Sequence, residues 1–151
     1  MFDVLKSAHV LLAALWVGSG FALNVAANLA FASRDPVRQS ITLRTVETIG
    51  QRLLTPISLA AVTAGVWLVL RYDNVYDFGD FWVSYGLGFF VLTSITGAGF
   101  LGPQAGRTAR RIDEGADQDA VLQTARPFRL VAATDLLLLS SVVVVMVVKP
   151  T

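Results

Sequence analysis

The sequence predicts an all-α protein: a polytopic four-helix transmembrane bundle with an amphipathic helix between its first and second spans. Composition and pattern carry that reading together. Of 151 residues, 54% are hydrophobic and only 15% charged, against roughly 45–50% and about 25% in soluble chains. Mean hydropathy is +0.61. Four apolar runs reach or approach the roughly 20 residues needed to cross about 30 Å of hydrocarbon. None alternates as a barrel strand would, and an open sheet edge cannot survive in lipid.

The spans lie at about 4–32, 55–71, 81–101 and 128–148, and the chain 1–151 forms one domain. Ala30-Phe31-Ala32 has the small-x-small form of a leader cleavage site. The apolar run before it is too long for a leader and opens with Asp3 and Lys6, so it reads as an uncleaved first span. Asp35-Pro36 reads as a helix N-cap followed by proline in the first turn. Ile41, Val46, Ile49 and Leu53 then recur at near-helical spacing, giving a stretch that lies at the interface or extends the second span. Gly102-Pro103 should bend the end of the third span, and the arginine-rich turn after it should end near Gly115. Asp73, Asp77 and Asp80 in the remaining loop are too sparse for a calcium loop.

Arginines set the expected orientation. Arg34, Arg38, Arg44, Arg52, Arg107, Arg110, Arg111, Arg126 and Arg129 occupy the two long connections, whereas the other side holds only Lys6, Arg71 and Lys149. This bias predicts cytoplasmic connections and both termini outside the plasma membrane. Small residues recur every four positions at Ala14, Gly18, Ala22, Ala26 and Ala30, and at Ser94, Ala98, Gly102 and Gly106. Such stripes let helix backbones approach closely. Burial inside the bundle is the expectation, with a homo-oligomer face or a partner membrane subunit as the alternative.

The chain has little side-chain chemistry to use. A net charge of +1 gives no reason to expect a nucleic-acid partner, leaving the lipid bilayer as the predicted environment. With no cysteine, disulfides, thiolate metal sites and iron–sulfur clusters are excluded. No catalytic residues are assigned. The one histidine, His9, lies about 4.5 Å deeper than Lys6 along the first helix. An ionisable group inside the membrane is a functional candidate by default. Ala13 and Gly20 follow on its face, with Trp16 as a flat wall, a surface that suits haem with His9 as axial ligand. An interfacial histidine bonded to a backbone carbonyl is the alternative. Met146 lies about 4.5 Å inside Lys149, at matching depth, and is a candidate second ligand. Lys6, Arg71 and Lys149 ring that face as propionate partners or as snorkelling anchors. Asp135, some six residues below Arg129, shares the other half of the bundle with Asn24 and Asn28. It reads as a helix clamp or a proton-relay group.

The run His9-Val-Leu-Leu-Ala-Ala-Leu-Trp16-Val-Gly18-Ser-Gly20, preceded by Lys6, resembles the first helix of the CopD/HemJ-like four-helix membrane proteins. Together with the ending Met146-Val-Val-Lys149-Pro150, it is similar to a small uncharacterised bacterial integral-membrane family allied to them. HemJ-type members bind haem through the histidine of this motif and are linked to protoporphyrinogen oxidation; the resemblance thus implies haem b at His9. CopD-type members are implicated in copper handling, but one histidine, no cysteine and two methionines leave almost nothing to ligate Cu(I). The mid-membrane lysine of HemJ-type enzymes has no counterpart here, which speaks against porphyrinogen oxidation. Three functions stay open: haem binding for electron transfer or haem handling, a cofactor-free accessory or scaffolding role, and proton-coupled transport through Asp135.

Overall fold

The computed structural model describes residues 2–72 and 76–149; Asp73 and Pro150, used above, lie outside them. Six α-helices, α1 Phe2–Ala32, α2 Pro36–Ile49, α3 Thr55–Arg71, α4 Phe81–Ser94, α5 Gly102–Asp113 and α6 Gln118–Val148, make up four long rods. Helices α2 and α3 join through a π-helical stretch at Gly50–Leu54, and α4 and α5 through another at Ile95–Leu101. The rods are thus Phe2–Ala32, Pro36–Arg71, Phe81–Asp113 and Gln118–Val148, all long and apolar enough to cross a membrane. At 1.5 Å per residue, 31 residues reach about 46 Å. Each rod therefore outruns the hydrocarbon and carries a polar end beyond it.

Local chemistry explains the boundaries. Asp35 caps α2, accepting from the backbone N–H of Val37 at 3.0 Å and of Arg38 at 3.4 Å. The amphipathic stretch after it does not lie apart at the interface but extends the second span. Both π-helical stretches end two residues before a proline, Pro56 and Pro103. Proline has no N–H for the carbonyl four residues back, and its ring crowds that turn. Widening to π geometry relieves the strain without breaking the rod. The bend expected at Gly102-Pro103 is absorbed in this way. Helix α5 ends at Asp113, and Gly115 takes φ +85°, the left-handed turn that leads into α6.

Of two buried cores, the smaller being Leu68, Val69, Tyr76 and Val83, the larger sits toward the arginine-rich end. There Ala27, Phe31, Leu43, Ala109, Ala125 and Phe128 are buried together, with the Phe31 and Phe128 rings 5.4 Å apart. Past the lipid, apolar side chains have to cover one another. Within it they can face acyl chains freely, and Leu11, Leu15, Phe21, Leu137 and Val144 are exposed on the rods. The same reasoning corrects one expectation. On the first stripe Ala30 is buried, but Ala14, Gly18 and Ala22 are exposed, and a Cβ at Gly18 would meet nothing within 4 Å. On the other stripe Ala98 is exposed as well, whereas Gly102 is buried against Gln51 of the first π-helical stretch and Gly106 against α2, where the Glu47 carboxylate fills the space a Gly106 side chain would need.

Candidate functional site

At the end of the bundle that holds both termini, α1, α3, α4 and α6 surround an apolar cavity of about 310 Å³. His9, Trp16, Met146, Lys6 and Lys149 all line it. Arg71 does not; it is exposed at the end of α3.

The His9 ring is held by backbone. Its Nδ1 lies 2.7 Å from the carbonyl oxygen of Ala61 on α3. That carbonyl is reachable because Gly65, one turn further along, has no side chain: a Cβ there would come within 2.9 Å of His9 Cε1 and 3.2 Å of Nδ1. An isolated glycine inside a helix costs about 1 kcal/mol against alanine. Gly65 makes room for an imidazole. Gly86 on α4 does the same for Met146, whose methyl occupies the place of a side chain. Neither glycine was singled out in the sequence, although an interior glycine in an apolar span was the available signal.

Around the cavity mouth the lysines stack on rings. Lys149 Nζ lies 4.8 Å from the Tyr76 ring centre and 5.0 Å from that of Trp82, and Lys6 Nζ lies 5.9 Å from Phe2. Neither ammonium makes an ion pair among the described residues. Deeper in, Trp16 packs against Phe90 with ring centres 5.7 Å apart. Trp16 and Leu139 also line a second cavity, of about 120 Å³, and so divide the two.

Asp135 and Asn24 line that second cavity, toward the arginine-rich end; Asn28 does not. Asp135 accepts a hydrogen bond from the Thr96 hydroxyl on the third rod. Asn28 Nδ2 instead donates to the Asn24 carbonyl oxygen at 2.9 Å and to Asn24 Oδ1 at 2.7 Å, within α1. The hydrogen bond that Asp135 makes between rods is thus to Thr96, and among the described residues it makes none to Asn24 or Asn28. Beyond the apolar spans, Arg44 hydrogen-bonds Asp113 and, with help from Ser40, holds its carboxyl below the ordinary carboxylate range.

Four apolar rods enclosing two intramembrane cavities define a polytopic α-helical integral membrane protein. The chain belongs to the family described as predicted integral membrane protein DUF2269, whose model it matches over residues 3–150. No curated protein and no solved structure matches it.

Proposed function

We propose that the cavity at the terminal end binds haem b through His9, in a protein of electron transfer or haem handling at the plasma membrane. One observation carries this reading: a lone imidazole, oriented by a backbone carbonyl, lines an apolar cavity. A carbonyl that accepts from Nδ1–H fixes the tautomer and leaves Nε2 as the basic nitrogen, the usual arrangement of a metal-ligating histidine. Among the described residues Nε2 has no hydrogen-bond partner.

The donor set fits a tetrapyrrole better than a bare metal. Among the described residues no three His, Cys, Asp or Glu side chains are grouped to hold an ion. Haem brings its own equatorial nitrogens and asks the protein for one or two axial ligands. His9 would be the first. Met146 lines the same cavity and is the candidate for the second. The volume, about 310 Å³, lies at the small end of the roughly 300–1,000 Å³ typical of ligand pockets. Lys6 and Lys149, which have no carboxylate partner among the described residues, would be the groups to meet propionates. When bound, haem supplies a one-electron couple; the chain orients the ring and keeps water from it.

The resemblance to CopD/HemJ-like proteins agrees with the role given to His9. The arginine bias supports an outer-side location for this cavity. The exposed Ala14, Gly18 and Ala22 suit close approach of another transmembrane helix, from a second copy or a partner subunit. Titrating haemin into the detergent-solubilised protein tests the proposal. Saturable binding lost in a folded His9→Ala variant supports it; equal uptake by both overturns it.

A further inference from the structure

The second cavity poses a separate problem. Asp135 lines it, and no lysine, arginine or histidine does. A carboxylate inside a bundle must be paired or neutralised, and the single hydroxyl of Thr96 supplies no charge. Unless it holds a proton, its counter-charge has to come from outside the chain.

The walls say what kind of charge they accept. Thr55 donates its hydroxyl proton to the Gly50 carbonyl at 3.3 Å, Ser58 to Thr55 at 2.9 Å, and Thr93 to Phe89 at 2.9 Å. With their protons committed to backbone, these hydroxyls offer the cavity only lone pairs. Asn24, whose amide oxygen is taken by Asn28, Trp16 and Ser94 are the lining side chains that keep a donor. Both π-helical stretches also meet here, through Gly50 and Leu54 on one rod and Gly97 and Leu101 on the other. Such turns concentrate at functional sites, and irregular backbone at membrane depth is tolerated where it lines a cavity.

We propose that this cavity binds a monovalent alkali-metal cation, held by the Asp135 carboxylate and neutral hydroxyl oxygens. One carboxylate matches one positive charge. Calcium and magnesium want more charged oxygen ligands than this site has. A soft or borderline metal would want sulfur or imidazole, which the lining lacks. A volume of about 120 Å³ leaves room for the ion with some of its water. Trp16 and Leu139 line both cavities, but His9, Met146, Lys6 and Lys149 do not line this one.

Thermal unfolding of the full chain in detergent tests this, using sodium, potassium and choline chlorides at fixed ionic strength and pH. A ligand that binds only the folded state raises the midpoint in a concentration-dependent way. The expected result is a higher midpoint in sodium or potassium than in choline, and no difference between salts in Asp135→Asn. Equal midpoints in all three salts would overturn the proposal, and a pH dependence lost in Asp135→Asn without any salt specificity would assign the site to a proton instead. Should Asp135→Asn fail to fold, sodium NMR of the wild type decides. Line broadening beyond that of empty micelles, reversed by potassium, supports the site; broadening equal to empty micelles rejects it.

Discussion

Replacing Gly65 with alanine would place a methyl group 2.9 Å from His9 Cε1 and 3.2 Å from Nδ1. Non-bonded carbons rest at about 3.5–4.0 Å, so the ring must retreat by about 0.6 Å. Its 2.7 Å contact with the Ala61 carbonyl then stretches to or beyond about 3.2 Å, the edge of the normal range. Losing one hydrogen bond costs about 0.5–1.5 kcal/mol net. Alanine in place of a helical glycine returns about 0.5–1 kcal/mol. The two nearly cancel, so Gly65→Ala should change thermal stability by less than about 1 kcal/mol. Ligand affinity has no such compensation. Groups that orient a ligating histidine are worth about 10–100-fold in affinity, and haem affinity should fall by that factor. Haemin titration followed in the Soret region, beside thermal unfolding of the same samples, measures both. Wild-type haem affinity in a folded Gly65→Ala protein would refute the idea that Ala61 and Gly65 set the ring.

The Thr96–Asp135 bond predicts that Asp135→Asn is mild in choline buffer, because an amide oxygen still accepts from Thr96. Thr96→Val and Asp135→Leu should each cost about 0.6–2 kcal/mol, with the double variant losing less than their sum; strict additivity would disprove the bond. For Asp113, whose carboxyl is held down first by Arg44 and then by Ser40, the sign is that of a depressed acid. Its contribution is complete above the ordinary carboxylate value near pH 4 and disappears as pH falls through the lowered one. Arg44→Gln should therefore melt below the wild type at neutral pH, and the gap should close below about pH 4; a gap that widens with acid would contradict the pairing. Orientation is read by labelling. A cysteine introduced near Asp77 should react with an impermeant reagent applied outside and one near Gly115 should not, the reverse pattern moving the His9 cavity to the cytoplasmic side.

What could be read in the sequence was what is local. Span positions follow from apolar length, the start of α2 from Asp35 and Pro36, and the turn at Gly115 from glycine's freedom at positive φ. His9, Met146 and the two lysines were placed together by depth along their helices, a coordinate that the 1.5 Å rise supplies. Rotation about each helix axis was not legible, because packing against neighbouring rods sets it. That is why Arg71 shares their depth but not their cavity, and why Asp135 faces Thr96 and not Asn24. The exposed half of the first small-residue stripe has the same origin. In lipid an alanine or glycine facing acyl chains costs nothing, so small residues alone do not reveal which neighbour they meet. Proline at 56 and 103 marked irregular backbone, but whether a helix kinks, ends or widens depends on contacts across the bundle.

The central claim, that His9 makes the terminal-end cavity a haem site, is tested most directly by one absorption spectrum. Wild-type protein purified from cells with ample haem should show a Soret band, and a folded His9→Ala variant prepared alongside should lack it. A wild-type spectrum without any porphyrin absorption would contradict the claim.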